Sequence, residues 1–442
     1  MYARKTLILF ALQHREGLAF YRVMWQCPYQ AILFSRGPSF MAGQEIRHVG
    51  IIFSGGPAPA ANAVISAVAM ACGKNNIKVT GFLYGYKFLE DFNENYPLLN
   101  GKHFIDLDRD RVEGLRNTSG VFIHNSRANP GSMISSLGDL KDTSKNNKII
   151  NIFKAFEYYK VDALVSIGGD DTLKTANLLY RIQDSVKGLR PVSIVHIPKT
   201  IDNDYYGIDW TFGFFSAAEF GARSIRNLKA DSFSSGSWFV VELMGRKAGW
   251  LAYASGMMGE ATRIISVEDI EDEVLDLEGL ATEISLLIEK RKKQGKNYGV
   301  VCVAEGVADK LPDEVKTKEI DSHGNIVLTS VGIGRMLAET VAQIHEMRTG
   351  EKVKVIPKQV GYETRCTPPS GYDVILGSQL GVGAYRALVE KGLSGVMVSV
   401  RGGFDLYYVP FDRLIDPSTG RTRIKLIDKG SDFWRLARFL EP

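Results

Sequence analysis

The chain has 442 residues, 45% of them hydrophobic, with 54 lysines and arginines against 50 aspartates and glutamates and a formal net charge of +4. That is more apolar material than one domain ordinarily buries, so two lobes are expected, and the near-balance of charge removes the case for nucleic-acid binding. Four scattered cysteines, seven histidines without an H-x-x-x-H pair and no apolar run near the ~20 residues of a membrane span argue against a disulfide scaffold, an imidazole-held metal and a transmembrane helix.

The first 40 residues carry Arg4, Lys5, Arg15, Arg22 and Arg36 against Glu16, which accounts for the whole net charge of the chain. The apolar piece from Leu7 to Leu12 is too short for a membrane helix, and no A-x-A cleavage site follows it. Residues 1–45 therefore read as an extension outside the mature enzyme, with a signal or transit segment as the alternative.

From Met41 onward the pattern is regular. Short β-branched or aromatic runs end at glycine or in a polar loop: HVGIIFSGG, VTGFLYGY, VDALVSIGGDD, VSIVHIPKTIDND, SWFVVELMGR, YGVVCVAEG and GVMVSVRGG. Runs apolar on both faces suit parallel strands buried between helices. Helices are predicted over 62–72, over 173–183 and over 268–293; the last begins with Glu268, Asp269, Glu271, Asp272 and Glu273 and ends with Lys290 to Lys293, in line with the helix dipole. Residues 308–323 read as a polar loop. The alternation predicts an α/β fold with ligands beyond the carboxyl ends of the strands.

The polar clusters fall at those strand ends. Gly55 and Gly56 let backbone approach a ligand just before a helix whose N–H groups favour an anion, although a plain tight turn would look the same. In SIGGDDTLK, two glycines are followed by Asp170 and Asp171, a pair suited to Mg²⁺. IPKTIDND places Lys199, Thr200, Asp202, Asn203 and Asp204 in one loop; Asp202 can accept a hydroxyl proton and Lys199 can neutralise a phosphate. A surface turn would also be polar, but the strand before this one looks buried. Arg246 follows a glycine at another strand end and can fork onto phosphate. Arg127, Glu305, Tyr362 and Arg365 are further candidates, each equally readable alone as a solvated surface group. Together they describe a polyphosphate site beside a phosphosugar site, and phosphoryl transfer needs little beyond positioning, charge neutralisation and a base.

SGGPAP, GGDDT, PKTIDND, MGRKAG and GYETR occur in this order and spacing, and on them the chain resembles the 6-phosphofructokinases from about residue 46 to its C-terminus. It is most similar to the pyrophosphate-dependent branch, because GGDD with PKTIDND stands where ATP-using members carry G-G-D-G and P-G-T-I-D-N-D. The resemblance implies two α/β lobes with mostly parallel sheets flanked by helices and the active site in the cleft: residues 46–213 plus 364–413 as the phosphoryl-donor lobe, 214–363 plus 414–442 as the sugar-phosphate lobe. It implies Gly56 and Arg127 at the donor, Asp170 on Mg²⁺, and Lys199, Asp171 and the base Asp202 as catalytic residues. Thr200, Ile201, Asp202, Asp204, Met244, Gly245, Arg246, Glu305, Tyr362 and Arg365 would form the fructose 6-phosphate site. It also implies a cytoplasmic homodimer or homotetramer, with no nucleic acid or membrane partner.

Three positions depart from the family pattern. Ser237 stands where many members carry an arginine that reaches the neighbouring subunit's site. Ile356, between Lys354 and Lys358, stands near a second such arginine. Ala60 replaces the glycine of the P-A-P-G form.

Asp171 bears on donor choice. A glycine there would leave room for the α-phosphate of a nucleotide, whereas two unit charges ~4 Å apart cost roughly 4 kcal/mol at an effective dielectric of ~20, about three decades in binding. Pyrophosphate has no group beyond its two phosphoryls and escapes the clash. The expected reaction is reversible transfer from pyrophosphate to the 1-hydroxyl of fructose 6-phosphate. The alternatives are an ATP-dependent 6-phosphofructokinase, a non-catalytic regulatory subunit of the same fold and, lacking any G-x-G-x-x-G after the first strand, a dinucleotide oxidoreductase.

Overall fold

The computed structural model describes residues 45–316, 328–416 and 422–442. The extension expected over 1–45, apart from its last residue, and much of the polar loop expected over 308–323 lie outside them. Residues 45 onward belong to one compact unit.

The seven apolar runs all form strands: β1 (His48–Ser54), β2 (Lys78–Phe82), β4 (Ala163–Gly168), β5 (Ser193–Pro198), β6 (Trp238–Leu243), β8 (Gly299–Ala304) and β10 (Val396–Arg401). Four more, β3 (Phe104–Asp106), β7 (Arg263–Ile265), β9 (Val355–Val360) and β11 (Asp405–Pro410), are short or part-exposed, so their sequences lack the buried-run signal. They build a seven-stranded sheet ordered β11-β10-β5-β4-β1-β2-β3 and a four-stranded sheet ordered β7-β8-β6-β9. All pairings are parallel except β10 with β11 and β2 with β3, at the two edges of the larger sheet.

Helices Ala61–Gly73 and Gly371–Tyr385 pack together within the core of the larger sheet. Helices Leu277–Lys293 and Ile333–Thr349 cover one face of the smaller sheet, and Phe214–Ser235 with Trp250–Gly259 cover the other. The helix expected over 268–293 begins instead at Leu277, capped by Asp276, whose side chain accepts the Gly279 N–H at 2.8 Å. The upstream acids have other partners. Glu268 accepts the N–H groups of Gly249 and Ile427, and Asp269 accepts Tyr253, Trp434 and Arg438. Tertiary partners here outweigh the dipole pattern.

The helix expected over 173–183 runs Asp170–Ser185, so Asp170 and Asp171 form its first turn rather than a loop before it. Carboxylates are favoured at that end of a helix. Ala60, at the cap of helix Ala61–Gly73, has φ of 63°, a left-handed conformation that suits glycine and strains an L side chain.

Candidate active site

Register brings the larger sheet's loops together. Ser54 pairs with Gly168, and Gly168 with Pro198, so β1, β4 and β5 end side by side. The turns that begin at Gly55, Gly169 and Lys199 therefore leave the sheet as neighbours. Gly55 is clipped by its N–H to the Ser126 carbonyl at 2.9 Å and by its carbonyl to Asn125 Nδ2 at 2.7 Å, which brings exposed Arg127 to the same edge. A side chain at Gly55 would come within 3.3 Å of Lys199 Nζ, and one at Gly56 within 3.3 Å of Arg365 Nη1. Two cations thus converge on the Gly-Gly turn. Burial, with Arg365 adding to it, pulls the Lys199 ammonium down to about 8 against the nearby aspartates.

The Lys199–Asp204 loop is braced from within. Thr200 Oγ1 accepts the Asp202 N–H at 3.0 Å, and Thr211 Oγ1 donates to the Thr200 carbonyl at 2.8 Å. Asn203 is buried at φ 52°, and its Oδ1 accepts the Thr211 N–H at 3.0 Å. Asp202 and Asp204 flank it, each retaining some solvent access while ringed by protein. Burial, then the Glu305 carboxylate, raises Asp202 to about 6, against the pull of Arg365 and Lys199. Burial, then Asp170 and Asp202, raises Asp204 to about 7. Negative charge is crowded here: Asp170, Asp202 and Asp204 each act on another.

The smaller sheet repeats the arrangement. Leu243 of β6 pairs with both Ala304 and Val360, so the segments starting at Met244, Glu305 and Gly361 also emerge side by side. Gly245 has φ of 135°, and a side chain on it would lie 2.8 Å from the Ala248 carbonyl, so only glycine fits. Its N–H points to Glu305 Oε1 at 3.3 Å and its carbonyl accepts the Gly306 N–H at 3.1 Å. Burial raises the Glu305 carboxyl, offset by that N–H and by Arg365 and Arg246. Thr364 Oγ1 meets Met244 Sδ at 3.8 Å, and the Arg365 guanidinium lies 4.7 Å from the Tyr362 ring centroid. Arg246 is half-buried and Tyr362 exposed.

The sequence-predicted residues therefore gather at two adjoining strand-end clusters. Ile201 and Met244 have their side chains in the core, which leaves mainly their backbone toward the loops. Arg365 reaches farther than its sequence position suggests, lying against Gly56 as well as beside Tyr362. Asp171 is exposed at the start of its helix. Ser237 is fully buried at the far end of β6, its Oγ 2.7 Å from that of Ser235. Lys354 and Lys358 are exposed on either side of Ile356 along the edge strand β9 and its approach.

Sequence reasoning missed two lysines. Lys247 crosses from the smaller sheet to place Nζ 2.7 Å from Asp170 Oδ2, and Asp170, Asp204 and Asp171 all favour its charged form. Its place after Arg246 was a usable signal. Lys425, more than 200 residues beyond the Asp202 loop, donates to Asn203 Oδ1 at 3.0 Å. Nothing local marks it.

The sequence matches the family profile described as phosphofructokinase over residues 48–388. It is 33% identical over 400 residues to a pyrophosphate–fructose 6-phosphate 1-phosphotransferase of Thermotoga maritima, covering 88% of this chain and 89% of that protein. It is 32% identical over 372 residues to an ATP-dependent 6-phosphofructokinase of Clostridium perfringens, covering 81% and 89%. Among solved structures, a pyrophosphate-dependent phosphofructokinase from Nitrosospira multiformis superposes with a TM-score of 0.67 at 20% identity, over 90% of this chain and 92% of that one.

Proposed function

The chain belongs to the phosphofructokinase family, and from that premise we propose that it transfers a phosphoryl group from pyrophosphate to the 1-hydroxyl of fructose 6-phosphate, giving fructose 1,6-bisphosphate and phosphate. The observation that carries this reading is the convergence of Lys199 and Arg365 on the Gly55–Gly56 turn, with Asp202 on the same loop as Lys199. The turn receives pyrophosphate, with Gly56 and Arg127 at the donor. Thr200, Ile201, Asp204, Met244, Gly245, Arg246, Glu305, Tyr362 and Arg365 hold the sugar phosphate. Residues 46–213 with 364–413 form the donor lobe and 214–363 with 414–442 the sugar-phosphate lobe, a division supported by the two separate sheets.

Asp202 takes the proton from the 1-hydroxyl as the oxygen attacks the nearer phosphorus. The bond to the bridging oxygen breaks and inorganic phosphate leaves, neutralised by Lys199. A general base of this kind contributes ~10²–10⁴ in rate. Pyrophosphate and a sugar phosphate are close in phosphoryl energy, so the step runs both ways.

Among the described residues no three His, Cys, Asp or Glu side chains form a metal cage. Mg²⁺ needs none, since it binds one or two carboxylates and completes its shell with phosphate oxygens and water. The aspartate crowding around Asp204 fits such a cation, with Asp170 as its ligand. When bound, Mg²⁺ would offset the charge on the phosphoryl oxygens.

Asp171 and Lys199 favour pyrophosphate over ATP as donor, because the α-phosphate of a nucleotide would meet the Asp171 carboxylate while Lys199 offsets the charge of the departing phosphate. Turnover of fructose 6-phosphate with each donor, side by side, tests this. Activity with ATP alone would reverse the donor assignment, and activity with neither would leave the regulatory-subunit reading. We assign the protein to the cytoplasm as a homodimer or homotetramer. Among the described residues no helix is long and apolar enough to cross a membrane, and sedimentation velocity reads the assembly.

A further inference from the structure

The segment from Thr422 to Ile427 crosses the outside of the Asp202 loop. Ile424 forms a bridge with Tyr205, and the Lys425 N–H donates to the Asp204 carbonyl at 2.8 Å. The Lys425 side chain then turns inward. Its Nζ meets Asn203 Oδ1 at 3.0 Å, the Ile208 carbonyl at 3.0 Å and the Asp209 carbonyl at 2.7 Å. An ammonium has three N–H donors, and here it meets three acceptors. It also lies 5.0 and 5.7 Å from the ring centroids of Trp250 and Trp210.

The same residue reaches the other cluster. Its carbonyl accepts the Trp250 indole N–H at 2.8 Å, and Trp250 opens the helix that follows the Met244–Gly249 segment. Two residues on, the Ile427 N–H donates to Glu268 Oε1, which also accepts the Gly249 N–H, each at 3.1 Å. One short strap is thus bonded to the loop after β5 and to the segment after β6.

Asn203 explains why this contact matters for chemistry. It lies between Asp202 and Asp204 with a left-handed backbone, and rotation about it would swing both carboxylates. Its side-chain oxygen is held from two directions, by the Thr211 N–H and by Lys425 Nζ. Misplacement of a reacting group by about 1 Å can cost ~10²-fold in rate.

We infer that Lys425 is a positioning residue that orients the Asp202–Asp204 loop toward the Met244–Arg246 segment, so that the site is incomplete without the C-terminal strap. This rests on the reading of Asp202 as the base. A half-buried lysine whose ammonium faces protein oxygens instead of water carries a desolvation cost, and the strap accounts for its presence through both the loop contacts and the Trp250 contact.

The test compares Lys425→Met, which keeps the apolar stem and removes the donors, with Lys425→Arg and with Ser232→Ala. The last removes a buried hydroxyl bonded to Gly299 and Ser237, far from both clusters, and controls for lost stability. Each is assayed for kcat and KM with whichever donor the wild type uses. Lys425→Met is expected to lower kcat about a hundredfold with KM for fructose 6-phosphate changed less than about threefold, Lys425→Arg to recover part of kcat, and Ser232→Ala to leave kcat within about twofold. A Lys425→Met enzyme with kcat within twofold of wild type, or a loss matched by Ser232→Ala, overturns the inference. If Lys425→Met does not fold, Trp250→Phe removes the indole N–H bonded to the strap, together with part of the ring that faces Lys425 Nζ. A fall in kcat of about tenfold supports the inference and an unchanged kcat overturns it. A wild type inactive with both donors overturns the reading of the site and this inference together; with an active wild type, an unaffected variant overturns the role of Lys425 alone.

Discussion

The two sheets present the same device, three parallel strands ending in register, yet their ends differ in charge. The segments that leave the larger sheet's strand ends carry Asp170, Asp171, Asp202 and Asp204 against Lys199, and two of these carboxyls are pushed well above the usual range. The loops of the smaller sheet carry Arg246, Lys247 and Arg365 around Glu305. An acid-rich end can hold a cation and supply a proton acceptor, while a base-rich end suits a dianionic phosphate. Lys247 and Arg365 lend positive charge from the smaller sheet to the larger, the first to Asp170 and the second to the Gly-Gly turn. On the proposed reading, the contrast teaches that charge divides two similar strand-end arrangements between catalysis and binding.

The strongest way to break that contrast is at the acid-rich end. Asp202→Asn is expected to lower kcat by ~10²–10⁴ with little change in KM for the sugar phosphate. Near-normal turnover would remove Asp202 as the base. The wild-type acid limb tests the same point. A carboxyl raised to about 6 is protonated, and useless as a base, below that pH, so forward turnover should fall as pH drops through about 6. The Lys199 cation, lowered to about 8, is lost as pH rises through that value, so donor use should fall there. A flat profile between pH 5 and 9 would contradict both.

Donor choice comes next. Asp171→Gly combined with Lys199→Gly is expected to shift the ATP-to-pyrophosphate ratio of kcat/KM by up to about three decades. A double variant that still ignores ATP would refute the charge and steric account. At the base-rich end, Arg246→Lys keeps the charge but loses the fork, and KM for fructose 6-phosphate should rise about tenfold with kcat nearly unchanged. A kcat loss instead would move Arg246 into the chemistry and blur the division between the ends.

The smallest effect lies behind the Gly55–Gly56 turn. Ala60→Gly relieves a left-handed alanine and should raise stability by about 0.5–1 kcal/mol, read as a higher denaturation midpoint. No gain would mean that the strain is already relieved by packing.

Seven strands and the clusters at their ends were legible in the sequence, because a strand buried on both faces must be apolar throughout and must end where polar loops begin. Edge strands such as β9, with Pro357, Lys358 and Gln359 exposed, carry no such mark. The acidic run from Glu268 to Glu273 misled in the opposite sense: it resembled a helix start, while Glu268 and Asp269 were committed to partners near Gly249 and Arg438. The motifs SGGPAP, GGDDT, PKTIDND, MGRKAG and GYETR carried the family resemblance, the order of the glycine-rich turns and the residue types of the candidate site. Only the tertiary structure decided that β1, β4 and β5 end level, that Lys247 and Arg365 cross between the sheets, and that Lys425 closes on Asn203. Those are contacts between distant residues, and a hydrogen bond or ion pair across such a separation leaves no periodicity in the chain for a sequence reading to detect.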